Sequence, residues 1–257
     1  MSTESQTLNW PERCPVFGIG VSVTDYNEAS NLVISAAKNR ISSCVDAMNV
    51  HVLVTAVKDK EFNTAIVGFD MVCPDGQPVR WALNKFNRKK ITERVYGPTL
   101  TLHVLKKAEK EGLSVYFYGS KESVLNALKK KLMEKFPDLR IAGMESPPFR
   151  KLTFEEENET ADRINNSGAS ILFIGLGCPK QELYASRNKG KIMMPMLCVG
   201  AAFDFHAGML MQAPSWMQKH GLEWLFRFCM EPGRLWKRYL VTNTTFLLLC
   251  VKQLRKK

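Results

Sequence analysis

Two short stretches carry residue types that could do chemistry. Pro74, Asp75 and Gly76 place a carboxylate directly after an apolar run, and GLGCPKQE at 175–182 follows another, Ile171 to Ile174. A carboxylate held at the exit of a buried strand loses part of its hydration, so its pKa rises toward neutrality and it can accept a proton from an attacking hydroxyl. Pro-Asp-Gly is also ordinary turn chemistry, and on these residues alone both readings stand. In GLGCPKQE the glycines Gly175 and Gly177 permit a tight exit from the strand, Pro179 suits the start of a helix, and Lys180, Gln181 and Glu182 offer polar groups to a ligand or to solvent.

Other chemistries lack their residues. GIG at 18–20 is followed by Val21 and Ser22 and misses the third glycine of the dinucleotide fingerprint, which disfavours a nicotinamide oxidoreductase. There is no Gly-x-Ser-x-Gly elbow and no Walker loop. His51, His103, His206 and His220 are scattered, and only Asp204 with His206 forms a close pair of metal-ligand types. In a strand that pair would share one face, although a hydrogen-bonded structural pair is the plainer reading. No Asp-x-Asp occurs to hold a divalent ion on a diphosphate, so that charge would fall to arginines, whose forked guanidinium binds phosphate oxygens bidentately. No metal and no cofactor is expected.

The hydrophobic pattern supplies a scaffold for these stretches. Val16 to Val23 reads as a strand, after which Asp25, with Glu28 three residues on, starts a helix reaching about Asn39. Ser42 to Val50 and Ala65 to Val72 read as strands, and Pro78 begins a helix carrying Trp81, Ala82 and Leu83. Thr99 to Glu111 has helical spacing. Val115 to Tyr118 is a strand, and Ser120 caps a helix that ends before Pro137. A short strand at Arg140 to Gly143, a polar helix at Glu155 to Asn166, and strands at Ile171 to Ile174 and Met196 to Ala201 complete the series. Strands alternating with helices predict a Rossmann-like α/β fold, a largely parallel sheet with helices on both faces. Its ligands belong beyond the carboxyl ends of strands, where the turns at Gly18 to Gly20, Gly119 with Ser120, and Gly175 to Gly177 are expected.

After Gly208 the character changes, so a boundary is expected near 212, with a core at 1–212 and a C-terminal helical appendage at 213–257. Two helices fit the appendage, Trp216 to Met230 and Arg234 to Lys252. The formal net charge is +11, and between Ser215 and Lys257 nine Lys or Arg face two Glu. Three of the five tryptophans, Trp216, Trp224 and Trp236, lie in the same segment. Such interleaving suits an anionic membrane surface, a phosphate-bearing ligand or a nucleic acid. A nucleic-acid-binding protein is disfavoured because the charge gathers at one end without a recognisable nucleic-acid fold. The apolar run Phe246 to Val251 is too short to cross a bilayer but long enough to lie against one, or to pack inside the protein.

Composition agrees with a globular body, since 45% hydrophobic and 24% charged residues leave ample material for a core. The seven cysteines are odd in number, scattered and never arranged as CxxC, which fits a reduced cytosolic setting. Cys178 reads as a small apolar filler rather than a reactive thiol. The N-terminal residues lack the basic start and apolar core of a secretory signal, so a cytosolic location is expected.

Six segments taken in order resemble the WecG/TagA/CpsF family, glycosyltransferase family 26: PDGQPVRWAL at 74–83, ERVYGPTL at 93–100, GLGCPKQE at 175–182, VGAAFDFHAG at 199–208, APSWMQKHGLEWLFR at 213–227 and EPGRLWKRY at 231–239. The resemblance covers roughly residues 16–241. It implies transfer of a sugar from a UDP-sugar to a polyprenyl-diphosphate-linked sugar at the cytoplasmic membrane face, with inversion of the anomeric centre. The sugar would be N-acetylmannosamine, N-acetylmannosaminuronic acid or a related hexose. The products would be cell-surface polymers such as enterobacterial common antigen, wall teichoic acid linkage units or exopolysaccharide.

Carried over by position, the resemblance makes Asp75 the catalytic base and lets Arg94 bind the acceptor's diphosphate or orient the donor. Gln181 would face the nucleotide sugar with Lys180 and Glu182 in support, beside Gly175, Gly177 and Asn49. Arg227, Arg234, Lys237 and Arg238 would neutralise the departing UDP. Lys237 stands where many members have Arg, keeping charge but losing the fork. Ala47 stands where members often carry Thr, which leaves the donor sugar open. Apolar surface on the appendage leaves room for a homo-oligomer.

Overall fold

A computed structural model of the chain describes residues 8–255. Strands β1 (Arg13–Val16) and β2 (Ile19–Ser22) pair antiparallel, and α1 (Tyr26–Lys38) follows. Next come β3 (Ser43–Met48), α2 (Val50–Lys58), α3 (Lys60–Val67), β4 (Met71–Pro74), α4 (Gln77–Asn87) and α5 (Gly97–Lys110). The second half contains β5 (Ser114–Gly119), α6 (Glu122–Lys135), β6 (Arg140–Glu145), α7 (Phe154–Asn166), β7 (Ile171–Gly175), α8 (Lys180–Asn188), β8 (Pro195–Cys198) and α9 (Ala202–His206). Three helices close the chain: α10 (Ser215–Lys219), α11 (Glu223–Met230) and α12 (Pro232–Leu254).

The main sheet has six strands in the order β4-β3-β8-β7-β5-β6, and every neighbouring pair is parallel. Both faces are covered, which is why its strands read as unbroken apolar runs rather than as alternations. In β5, Tyr116 and Tyr118 join one core cluster while Val115 and Phe117 join the other; in β7, Leu172 and Ile174 oppose Ile171 and Phe173 in the same way. The expected parallel α/β fold with helices on both faces is therefore present. Strand β8 returns to pair with β3, and this reversal of strand order leaves a crevice beyond the carboxyl ends of the two.

Several local expectations are corrected. The stretch from Val16 to Val23 is not one strand of the parallel sheet. Phe17 and Gly18 both have positive φ, 54° and 88°, and these fold it into the tight β1–β2 hairpin, so its glycines do not follow a strand of the parallel sheet. The expected strand from Ala65 to Val72 begins as the end of helix α3 and reaches β4 only at Met71, because Asp59 caps the helix start by accepting from the Phe62 N–H, and Phe62 and Ile66 are buried one turn apart. Helix α2 was not foreseen; the Asn49 side chain accepts from the N–H groups of His51 and Val52 to begin it. Ser120 does not cap α6, since it sits at φ 62° and the helix starts at Glu122. The strand expected from Met196 to Ala201 is confined to β8.

The expected helix from Trp216 to Met230 is broken into α10 and α11. Gly221 sits between them at φ 72°, and a Cβ there would meet the Trp81 ring at 2.8 Å, so two separate constraints require glycine. Helix α12 is amphipathic. Leu235, Thr242 and Phe246 are buried, with Phe246 edge-on to Phe17 at 5.4 Å, whereas Trp236, Leu240, Leu247, Val251 and Leu254 form an exposed stripe at helical spacing.

Candidate active site

The carboxyl ends of β3, β4, β7 and β8 and the inner sides of α11 and α12 enclose a cavity of about 830 Å³. Of the residues singled out in the sequence, it brings together Asn49, Asp75, Arg94, Gly175, Gly177, Gln181, Arg227, Arg234 and Arg238. Three do not reach it. Lys180 is exposed on the outer side of α8, and Lys237 is exposed with its ammonium 5.3 Å from the Trp236 ring. Glu182 is wholly buried beneath the cavity wall. The helical period separates them: neighbours on a helix point about a quarter-turn apart, so Gln181 faces inward while Lys180 faces out.

Asp75 follows β4 directly and is 8% exposed. Its Oδ2 accepts from the N–H of Gly97 at 3.2 Å, the first residue of α5. Burial pushes its pKa up to about 7; the nearby Arg94 opposes this, and the Glu223 carboxylate reinforces it. A carboxyl group so poised is half ionised near neutrality and can take up a proton from a substrate hydroxyl. Ala47 and Gly97 crowd beside it: a Cβ on Gly97 would lie 3.1 Å from that of Ala47 and 3.3 Å from Asp75 Oδ2.

Arg94 is buried and engaged. Its Nη2 donates to Glu223 Oε2 at 2.7 Å and to Gln218 Oε1 at 2.9 Å, and its guanidinium lies 4.1 Å over the Tyr96 ring. Among the described residues this is the one ion pair joining the chain before residue 212 to the helices after it. Glu223 escaped the sequence reading although a signal was available, because it lies four residues before Arg227 and so shares its helix face.

The exit of β7 is built from close approaches. A Cβ on Gly175 would collide with the Phe203 ring at 2.6 Å, and Gly177 adopts φ 78°. The Gly177 N–H donates to Gln181 Oε1 at 3.1 Å, which fixes that side chain against the turn it follows. Asn49 has its oxygen committed to capping α2, leaving its NH₂ group for a ligand. Cys178 lines the cavity, but burial, followed by the charges of Glu182 and Asp46, holds its thiol far above the usual range, consistent with an apolar filler.

Helices α11 and α12 deliver the cations. Arg234 pairs with Glu231, while Arg227 and Arg238 have no ion-pair partner among the described residues. Arg227 lies 5.5 Å from the Phe205 ring, and the Nε of Arg238 is buried without a hydrogen-bond partner. Burial, together with the neighbouring charge of Arg238, pushes His51 down to about 4, so it is neutral at working pH. Asp204 and His206 lie on helix α9 rather than on a strand, and they diverge. Asp204 lines the cavity, whereas His206 Nε2 donates to the Pro98 carbonyl at 2.8 Å. Among the described residues no group of three or more His, Cys, Asp or Glu side chains gathers as a metal site.

The cavity thus joins a near-neutral carboxyl to several guanidinium groups, an arrangement suited to moving a proton at one place and stabilising a developing anion at another. The N-acetylglucosaminyldiphosphoundecaprenol N-acetyl-beta-D-mannosaminyltransferase of Bacillus subtilis (strain 168) is 25% identical over 202 residues, covering 78% of this chain and 76% of that protein. The transferase of the same name from Bacillus spizizenii is 28% identical over 188 residues, 72% of this chain and 70% of its own. The family model described as glycosyl transferase WecG/TagA/CpsF matches residues 14–257, every element from β2 onward included. The chain belongs to the WecG/TagA/CpsF family of glycosyl transferases.

Proposed function

We propose that the protein is an inverting glycosyltransferase that moves a sugar from a UDP-sugar to a sugar carried on a polyprenyl diphosphate. The observation that carries this reading is the shared cavity of Asp75 and the arginines Arg227, Arg234 and Arg238. Asp75 takes the proton from an acceptor hydroxyl as its oxygen bonds to the anomeric carbon of the donor. The bond from that carbon to the UDP oxygen breaks on the opposite face, so one displacement inverts the centre. The electron pair leaves with UDP, and the guanidinium groups stabilise the diphosphate as its charge develops. Gln181 and Asn49 hold the donor, and Arg94 holds the acceptor's diphosphate or orients the donor. The names of the two relatives support an N-acetylmannosaminyl group as donor sugar and a lipid-linked N-acetylglucosamine as acceptor.

Residues 213–257 act as an appendage that completes the cavity and rests on the cytoplasmic face of the membrane. The exposed stripe of α12, with Trp216 and Trp224 exposed nearby and Lys219, Lys252 and Arg255 among them, has the composition of an interfacial surface. Among the described residues no helix is long and apolar enough to cross a membrane.

Thermal stabilisation by UDP, with and without EDTA, tests donor binding. A shift with UDP that survives EDTA supports the reading, and the absence of any UDP shift contradicts it. Release of UDP in the presence of a UDP-sugar and a lipid-diphosphate acceptor then tests transfer.

A further inference from the structure

Beneath the cavity wall lie two acids that the proposed chemistry does not use. Asp46, on β3, and Glu182, on α8, are both fully buried. No hydrogen bond of normal geometry reaches either Asp46 oxygen or Glu182 Oε2. The Ala47 N–H bears on Asp46, and the Glu182 N–H and the Cys178 thiol bear on Glu182, without closing a bond to these oxygens. The remaining oxygen, Glu182 Oε1, accepts from Gln181 Nε2 at 3.0 Å. Gln181 Oε1 in turn accepts from the Gly177 N–H, and Gly200 comes close enough that a Cβ there would lie 3.5 Å from Gln181 Oε1. Two ionised carboxylates side by side without a cation bonded to either would carry a prohibitive desolvation cost, whereas one proton between them joins one oxygen of Asp46 to Oε2 of Glu182 and removes one of the two charges.

We propose that Asp46 and Glu182 share a proton, and that this buried acid pair is the positioning device that orients the Gln181 carboxamide for the donor. With the proton on the Asp46 side of Glu182, Oε1 remains a pure acceptor. The Gln181 amide must then turn its NH₂ toward Glu182 and its oxygen toward Gly177, so its orientation toward the cavity is fixed. This rests on reading the cavity as the transfer site. Burial first, and the two acids' mutual repulsion next, hold Asp46 well above the ordinary carboxylate range, and burial likewise raises Glu182.

The groups facing the pair do not replace the proton. Asp75 adds negative charge, and the thiols of Cys73, Cys178 and Cys198 are held neutral by burial. Arg13 is the cation felt from β1, but its guanidinium is committed to the carbonyls of Gly20, Ile66, Val67 and Phe69. Arg238 is felt at Cys178 and bonds to neither acid.

The sign of the linkage follows. In the unfolded chain both acids release their protons near pH 4, whereas the folded pair retains one to higher pH. The folded state therefore binds more protons over that window and loses stability as pH rises from about 4 through the folded pKa. Asp46→Asn or Glu182→Gln supplies a permanent N–H in place of the shared proton and removes that loss.

The experiment takes full-length wild type, Asp46→Asn, Glu182→Gln, Asp46→Ala and Glu182→Ala. Melting temperature is measured from pH 5 to 9 and donor kinetics at neutral pH. The expected result is a fall in melting temperature with rising pH that is shallower in both amide variants than in wild type. The alanine variants should raise the donor KM by about tenfold with a smaller change in kcat, and the amide variants should recover most of that loss. Equal pH slopes in wild type and amide variants would overturn the shared proton. Alanine variants that fold and keep the wild-type donor KM and kcat would overturn the positioning role. A wild-type protein that neither binds UDP nor releases it would overturn the transfer-site reading itself, while the melting curves would still decide where the proton resides.

Discussion

The two walls of the cavity are made differently. On the sheet side, Asp75, Asn49 and Gln181 sit one or a few residues beyond buried strands, and each is tied to the backbone N–H of a helix or turn. On the other side, Arg227, Arg234 and Arg238 ride on α11 and α12, helices with broad exposed apolar faces and few buried anchors. Groups that must meet a reacting atom within tenths of an ångström are held by the core. Groups that supply positive charge tolerate looser placement and can ride on a segment with few ties to the core.

Truncation after residue 212 breaks this arrangement most completely. Transfer should fall to background, because all three arginines go, yet the remainder should fold, since among the described residues Phe246 is the only buried member of either core cluster contributed from beyond that point. Circular dichroism and UDP release would check both halves, and retained transfer would refute the division. Asp75→Asn removes the base alone and should lower kcat by roughly 10²–10⁴-fold while the protein still binds UDP. Because the folded pKa of Asp75 is raised, its deprotonation costs stability as pH rises from about 4 toward 7, so the same variant should melt above wild type at pH 8.

On the helical wall, Arg238→Ala should cost about 10²-fold in kcat, with Arg238→Lys in between, because lysine restores charge without the fork. Glu223→Gln sharpens the comparison where the walls meet. It removes a carboxylate that raises Asp75 and frees Arg94 to lower it, so the acidic limb of the pH–rate profile should move to lower pH. An unmoved limb would mean that Asp75 does not set it. Lys180→Ala and Lys237→Ala should leave kcat/KM within about twofold, since both side chains lie in solvent outside the cavity.

Much of the sheet was legible because a parallel strand buried on both faces announces itself as an apolar run, as at Ile171 to Ile174. The proposed base was legible only in part from its place: Asp75 ends such a run, but Pro-Asp-Gly also suits an ordinary turn, and it took the family resemblance to choose between them. Legibility failed where local signals compete. The stretch from Ala65 reads apolar enough for a strand, but Asp59 had already nucleated a helix, and β4 begins only at Met71. It failed again for PKQE, where three adjacent polar residues look alike in sequence and the helix sends one to solvent, one to the cavity and one into the core. Asp46 stood between Val45 and Ala47 in a buried strand and carried the clearest missed signal, an acid with no exposure to solvent.

The central claim is that Asp75 is the base of a transfer completed by arginines from the C-terminal helices. The measurement that tests it most directly is the single-turnover rate of UDP release by wild type and Asp75→Asn, at saturating UDP-sugar and lipid-diphosphate acceptor, followed from pH 5.5 to 8.5. Wild type should gain rate as pH rises through about 7, as the carboxylate forms, and the variant should be slow by roughly 10²–10⁴-fold with that limb gone. A folded Asp75→Asn protein that turns over at near wild-type rate with the same pH limb would contradict the account.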